Sequence, residues 1–483
     1  MATVPIDGDR EVLRAFGREA VDWIVDYLES FGRAPVLQPA APAEIQAAFE
    51  EPLPEEGAPL QEVFALFKEK VVRYATHLQS PGNFAYIPNS AHFVGVMADA
   101  LASTLNQNVS LWRGGPSAAA LERRVVEWIR DLIGFPPDGH GTLVSGGSMA
   151  NLIGLALARD RIGAREDLVF YLSPEIHSSI HRGLAFLGLS QKAIHPVKTD
   201  SGFRMNPAAL AEAIAWDREK GRKPAAVVAS AGTVSSGAVD PLQALSDVCR
   251  EEGLWLHVDG AYGALSAAAP SGAFLRAGLV RADSLSLDPH KWLFVPIDAS
   301  VLLVRDPARL RRAFSLFPEY LKVRGPEAGG DLPHPMESTI ELTRRFRALK
   351  IWMTLKHQGA RSIRERIDTH LQLARRLGSW VDATPGFERL APVETSIVCF
   401  RRVPAGLEPH SAAEREKLLD RLNEEILERL NRAGEFFLSH CRLGGRYSLR
   451  VCITHLRTTE EHLARLWDAV RLTSASAERE MVL

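Results

Sequence analysis

The stretch Leu254-Trp255-Leu256-His257-Val258-Asp259-Gly260-Ala261-Tyr262 decides the fold. It is a short apolar run ending in an acid and small residues, the pattern of a buried strand that runs out into a turn. Similar runs stand at 168–172, 225–229 and 301–304, and helical segments separate several of them. Strands alternating with helices predict an α/β domain with a mostly parallel sheet and helices on both faces. In such a sheet ligands gather at the carboxyl ends of the strands, where Asp259 stands. Taken alone, a strand-end aspartate reads first as a cap for the next turn.

Further along, Ser286-Leu287-Asp288-Pro289-His290-Lys291-Trp292 leads into the apolar Leu293, Phe294 and Val295. A lysine there is either a snorkelling surface residue or a desolvated amine. Desolvation lowers an amine's pKa, and a neutral amine can form a Schiff base. Upstream, Thr142-Leu143-Val144-Ser145-Gly146-Gly147-Ser148 runs from a strand through a small-residue turn into the helical run after Met149. Glycines at a helix start let backbone N–H groups approach an anion, and Ser148 adds a hydroxyl. The pattern is neither G-x-G-x-x-G nor the Walker motif, which weakens the case for a dinucleotide or ATP. In Pro174-Glu175-Ile176-His177-Ser178-Ser179-Ile180-His181 the two histidines have a metal-ligand spacing, but no third ligand is near, so no metal is expected. Ser230-Ala231-Gly232-Thr233 ends another strand in a hydroxyl-bearing turn. An amine, a carboxylate, a flat histidine and an anion cradle in one domain would together serve pyridoxal 5′-phosphate.

The flanks differ in texture. Val12, Phe16, Ala20, Trp23, Ile24 and Tyr27 predict an amphipathic helix over 10–31, followed by a proline-rich connector from Pro35 to Pro59 and a second helix over about 60–78. This layout suits an arm lying on a second subunit. Beyond about residue 340, charged helices at 342–380 and 411–433, strands at 396–400 and 448–453, and a last helix from Thr459 predict a smaller α+β domain. The expected units are an arm over 1–90, a large cofactor-binding domain over 91–370 and a small domain over 371–483. The chain has 483 residues, 46% of them hydrophobic and 24% charged, and its 57 basic and 59 acidic residues give a net charge of −2. That balance calls for neither nucleic acid nor an anionic membrane. Cys249, Cys399, Cys441 and Cys452 form no C-x-x-C pair and are expected as buried thiols in a reducing compartment. No secretory signal and no membrane span are expected, and the cytoplasm is the expected location.

These motifs bring a resemblance. Phe84-Ala-Tyr-Ile-Pro88, Trp112-x-x-x-Pro116, Leu121-Glu122, His177-Ser-Ser179, His257-Val-Asp-x-Ala-Tyr262, Asp288-Pro-His-Lys-Trp292, Asp298 and Arg344-Arg-Phe-Arg-x-Leu-Lys350 make the chain similar to the pyridoxal-phosphate-dependent group II amino-acid decarboxylases, in particular the aromatic-L-amino-acid decarboxylases. The resemblance implies an aspartate-aminotransferase-like (fold type I) large domain, a small C-terminal domain and a homodimer with the active site at the interface. It implies that Lys291 holds the cofactor through a Schiff base and that His290, Gly147 and Ser148 contact its phosphate. Asp259 would pair with the ring nitrogen, Ala261 and His177 would lie on the two ring faces, and Thr233 would stand near the ring oxygen or the substrate carboxylate. Tyr86 and Pro88 would line the substrate pocket. The implied reaction takes an amino acid, aromatic ranked first, to its amine and carbon dioxide through a quinonoid intermediate.

Two departures stand out. The family carries a proton-donating tyrosine on a mobile loop before its Arg-Arg-Phe-Arg motif, but the stretch Val323 to Thr343 has none, and Tyr320 lies just before it. Its one histidine, His334, is the candidate acid, on a Gly- and Pro-rich segment that suits a lid. In family members lacking that tyrosine, the reaction can divert to oxygen-dependent aldehyde formation. In the expected pocket, Leu78 and Ile87 replace aromatics, and Arg113 could add a cation. The alternatives are therefore an aldehyde synthase, a carbon–carbon lyase or aminotransferase on the same fold, and, most remotely, a non-catalytic binding protein.

Overall fold

The computed structural model describes residues 9–31, 35–38, 40–163, 166–315, 334–405 and 411–481. Seven short strands form the central sheet: β1 (His140–Val144), β2 (Leu168–Leu172), β3 (Ile194–Pro196), β4 (Lys223–Ser230), β5 (Trp255–Asp259), β6 (Ser284–Leu287) and β7 (Ser300–Val304). Their order is β1-β7-β6-β5-β4-β2-β3, and β7 runs antiparallel to both of its neighbours. The other described pairs are parallel. Side chains alternate across the sheet, so β1, β2, β4, β5 and β7 each feed two cores. Val169, Tyr171, Val227, Ala229, Leu256 and Val258 belong to one, packed with the helix Pro116–Ile133. Leu168, Phe170, Leu172, Ala226, Val228 and Trp255 belong to the other, packed with Gly147–Asp160 and Ser178–Phe186. Burial on both faces explains why these strands read as continuous apolar runs.

A second, antiparallel sheet of order β10-β11-β9-β8 lies towards the C-terminus: β8 (Phe387–Arg389), β9 (Ile397–Arg402), β10 (Ser439–Leu443) and β11 (Arg446–Cys452). Helices Ala412–Ala433 and Glu460–Glu480 cover it through Leu422, Ile426, Leu463 and Trp467. The helix Ala348–Ala383 crosses the expected boundary at residue 370 and is broken at Gly359, whose φ of 74° few other residues adopt. The arm also reaches the second sheet, because Phe84 donates its N–H to the Phe437 carbonyl at 2.8 Å and accepts from Cys452 N at 3.0 Å. The proline-rich connector holds a short helix, Pro42–Ala48, begun by a proline that needs no N–H partner there.

The expected helix over 342–380 starts only at Ala348. Before it, Arg344 is buried against Glu122 at 2.6 Å and donates to the carbonyls of Val109 and Leu143. Arg347 meets Asp298 at 3.2 Å, and Lys350 meets Asp99 at 3.0 Å. Removing one partner of a pair as deeply buried as Arg344–Glu122 typically costs about 3–5 kcal/mol.

Three histidines are built into the interior as neutral rings. His370 Nδ1 accepts from Trp292 Nε1 at 2.9 Å. His455 Nδ1 accepts from Arg457 N, while its Nε2 donates to the Gln79 carbonyl at 2.7 Å. His257 lies between Ser284 and Asn151. Burial lowers His257 to about 4 and His370 and His455 to about 3. The unfolded chain takes up protons near pH 6.5 and the folded chain does not, so their contribution to stability is present above that pH and is lost as pH falls towards 4. Each can contribute about 1.4 kcal/mol per pH unit in that window. Asp240, pushed up to about 6 by burial, works the other way, as do Glu175 and Asp283, also raised by burial, while His92, lowered to about 4, adds to the histidines. The thermal midpoint is therefore expected to drop clearly between pH 7 and pH 5. A midpoint that is flat or rises over that range would contradict the neutral-histidine account.

Candidate active site

The carboxyl ends of β1, β2, β4, β5 and β6 open onto one cavity of about 540 Å³. Its wall includes Gly147 and Ser148 after β1, His177 after β2, Thr233 after β4, Asp259 and Ala261 at the end of β5, and His290 and Lys291 after β6. The expected site residues, distant in sequence, thus share a single chamber. Tyr86 and Ile87 form part of its mouth. Pro88 does not line it; that residue is buried, and its carbonyl accepts from Thr454 Oγ1 at 2.8 Å. Leu78 and Arg113 are exposed and stand outside the lining.

His334 is not brought to this cavity within the chain. It lines a separate cleft of about 330 Å³ with Glu122 and His140, where its Nδ1 accepts the Trp112 N–H at 3.4 Å. The short turn Pro335–Ser338 carries the backbone on past it. Residues 323–333 of the expected lid, and Tyr320, lie outside the described residues.

Lys291 departs from the neutral amine expected of a desolvated lysine. Burial does pull its pKa down, but Asp288 Oδ2 lies 2.8 Å from its Nζ and, with Asp259 further off, more than offsets that, so the amine sits above the ordinary lysine value. Asp288 is itself held by the Ser300 hydroxyl at 2.6 Å. At Asp259, Oδ1 accepts from Ala261 N at 3.2 Å and from the Ser286 hydroxyl at 3.3 Å, and Oδ2 accepts from Asn151 Nδ2 at 3.0 Å. The other Asn151 N–H reaches Ser179 Oγ at 3.0 Å, and Ser179 meets His177 Nδ1 at 2.8 Å. Asn151, Ser179, Ser286 and Asp288 carried no role in the sequence reading. The available signal was spacing: Asn151 stands one helical turn after Gly147, on the side of the helix that faces the sheet.

The fit to pyridoxal phosphate is testable on this geometry. No side chain caps the helix that begins at Gly147, which leaves its first N–H groups for an anion. A Cβ on Gly147 would lie 3.0 Å from Asp288 Oδ2 and 3.2 Å from the Ala261 Cβ, so the cradle closes over any larger residue. An amine, a carboxylate and an anion cradle thus face one chamber, the donor set this cofactor requires. Among the described residues, no cluster of three or more His, Cys, Asp or Glu could hold a metal ion.

Comparison with known proteins agrees. Residues 42–403 match the pyridoxal-dependent decarboxylase conserved domain. The chain is 35% identical to an aromatic-L-amino-acid decarboxylase of Bacillus atrophaeus over 94% of each chain. It is 32% identical to a phenylacetaldehyde synthase of Arabidopsis thaliana over 96% of each. It superposes on the solved structure of Oryza sativa TDC with PLP and tryptamine with a TM-score of 0.90 at 29% identity, covering 97% of this chain and 98% of that one. Fold, chamber and kinship converge: the chain belongs to the pyridoxal-phosphate-dependent decarboxylases, fold-type-I lyases that act on amino acids.

Proposed function

We propose that this enzyme decarboxylates an aromatic L-amino acid to its amine, with Lys291 as the Schiff-base lysine. The convergence of Lys291, Asp259 and the Gly147 cradle on one cavity carries the reading. When bound, pyridoxal phosphate supplies an aldehyde for the amine and a ring that withdraws electrons from the substrate Cα. The chain supplies the rest. Gly147, Ser148 and His290 bind the phosphate, and Ala261 and His177 confine the ring between them. Asp259 holds a proton on the ring nitrogen. Thr233, whose Oγ1 is fixed at 2.9 Å from Ser236 Oγ, stands where a ring oxygen or a substrate carboxylate would be received. The Ser179 hydroxyl and N–H both point at His177 Nδ1, which leaves the ring proton on Nε2. Tyr86, Ile87 and Val234 give the mouth an apolar rim suited to an aromatic side chain.

The enzyme is a homodimer in this reading. The helix Arg10–Glu29 buries only Leu28 within the chain, and Tyr86, Val234 and Ile297 leave large apolar surfaces at the cavity mouth. A second copy would cover both and exclude water from the chamber. A monomeric mass at full activity would contradict it.

A second reading, oxygen-dependent formation of the aldehyde, has its own support: no tyrosine between Val323 and Thr343, and the Arabidopsis thaliana relative named for that product. One experiment separates the two. Tryptophan, tyrosine, phenylalanine and dopa are supplied in turn, and carbon dioxide, amine, aldehyde and peroxide are scored. Amine with carbon dioxide supports the first reading, whereas aldehyde with equimolar peroxide replaces it with the second. Borohydride reduction of the holoprotein should fix the cofactor to the peptide carrying Lys291, and a label elsewhere would overturn that assignment.

The Asp288 contact makes a separate prediction. Asp288→Asn removes the main upward pull on Lys291 and leaves burial in charge. The lysine pKa should then fall below the ordinary value, and amine-directed labelling of Lys291 in the apoprotein at pH 8 should accelerate several-fold. An unchanged pH profile of labelling would show that Asp288 does not control the amine.

A further inference from the structure

Beneath the cavity floor, buried polar groups connect Trp255 to His177. Trp255 Nε1 lies 2.9 Å from Ser284 Oγ, which is 2.8 Å from His257 Nδ1. His257 Nε2 is 3.0 Å from Asn151 Oδ1. Asn151 Nδ2 serves Asp259 Oδ2 and Ser179 Oγ, each at 3.0 Å, and Ser179 Oγ reaches His177 Nδ1. Trp255, Ser284, His257, Asn151 and Ser179 are all at least 97% buried. Trp255, Ser284 and His257 lie off the cavity lining, whereas Asn151, Ser179 and His177 form part of it, so the relay leads from the core to the chamber wall.

The direction of every proton follows from the two fixed ends. An indole N–H can only donate, and a carboxylate can only accept. Ser284 therefore accepts from Trp255 and gives its hydroxyl proton to His257 Nδ1. His257 carries its proton on Nε2 and donates to Asn151 Oδ1, which turns both amide protons towards Asp259 and Ser179. The reversed arrangement would set the amide oxygen against the carboxylate. The helix carrying Asn151 approaches closely enough because Gly154 has no side chain; a Cβ there would lie 2.5 Å from His257 Cε1.

We propose that Asn151, clamped by His257, is a positioning residue for the cofactor: it fixes Asp259 towards the ring nitrogen and, through Ser179, the tautomer and orientation of His177. This rests on the reading of Asp259 as the partner of the ring nitrogen, and it adds a relay that spans the floor and one wall of the chamber.

Asn151→Asp tests it. The substituted side chain still accepts from His257, but it can donate to Asp259 only while protonated. Holoprotein is dialysed at pH 5.5 and at pH 8, and retained pyridoxal phosphate is read from its absorption band. At pH 8 the variant should hold the cofactor about 10- to 100-fold more weakly than wild type, the range expected for losing a hydrogen bond to a charged group. At pH 5.5 much of that loss should be recovered. Asn151→Ala should be weakened with the pH dependence of wild type, and His257→Gln, whose amide can still donate to Asn151 Oδ1, should stay within a few-fold. Wild-type retention in Asn151→Asp at both pH values overturns the relay. If that variant does not fold, wild-type retention in Asn151→Ala overturns it equally. Wild type that binds no cofactor would instead sink the reading of Asp259 and Lys291.

Discussion

Ser230, Asp259 and Ser286 stand side by side across β4, β5 and β6, in register at the carboxyl edge of the parallel sheet. That alignment is the constraint on which the cavity depends. A slip of one residue in β5 would turn Asp259 to the opposite face, because side chains alternate with period two. His257 would turn with it and leave Asn151 without its clamp. The register is protected by the apolar residues between these polar ones. Val258 and Leu256 fill one core, and Trp255 belongs to the other, so a slip would also exchange their burial partners. Burying an aliphatic side chain of this size is worth about 1.5–3 kcal/mol. Several such terms change together on slippage, which makes the site geometry a consequence of core packing.

The antiparallel β7 extends the same logic. It enters the sheet between β1 and β6 from the cavity edge, so its first residue, Ser300, pairs with Val144 where β1 ends. From there its hydroxyl holds Asp288, and Asp288 holds the Lys291 amine. The lysine is placed by a short turn, Pro289–Trp292, that tertiary neighbours pin from both sides. Trp292 stacks on Tyr262 with ring centroids 5.2 Å apart and donates to His370. The Tyr262 hydroxyl reaches Ser396 just before β9, which ties the segment after Asp259 to the second sheet. The position of Lys291 therefore depends mechanically on both sheets.

Much of this was legible in the sequence, and the exceptions have physical reasons. The strands β2, β4, β5 and β7 are runs of apolar residues buried on both faces, a pattern visible without partners. β6 is hidden in the sequence because Ser284-Leu-Ser-Leu looks like a polar turn; its serines are buried only because Trp255, His257 and Asp259 satisfy their hydroxyls. β10, with His440 and Arg442 facing outward, hides for the opposite reason: one side of it is wet. Asp259, Lys291, His177, Thr233 and Gly147 could be found because each sits at an end of an element whose type was readable. Asn151 and Asp288 could not, since their importance lies in a partner on another element. The motif Arg344-Arg-Phe-Arg-x-Leu-Lys350 shows the converse. It is part of the resemblance, as the motifs of the cavity are, yet its Arg344, Arg347 and Lys350 form ion pairs with Glu122, Asp298 and Asp99, away from the chamber. Motif specificity and catalytic role are therefore separate properties.

His257 joins the two themes of stability and chemistry. As a buried neutral ring it belongs to the set expected to make the fold sensitive to acid, and as the donor to Asn151 it lies beneath the cavity. An apolar residue of similar volume in its place would spare the fold an acid-labile group but would leave Asn151 Oδ1 without a partner and the Ser284 hydroxyl, still accepting from Trp255, without an acceptor for its own proton. A permanently charged residue would carry an uncompensated charge into a dry core. A histidine kept neutral by burial satisfies both demands, since it can donate on one side while accepting on the other. Lysine could only donate, and a carboxylate could only accept. Position 257 thus answers to the chamber above it as much as to the core around it, and a histidine there, unlike a glutamine, adds its share to the expected acid sensitivity of the fold.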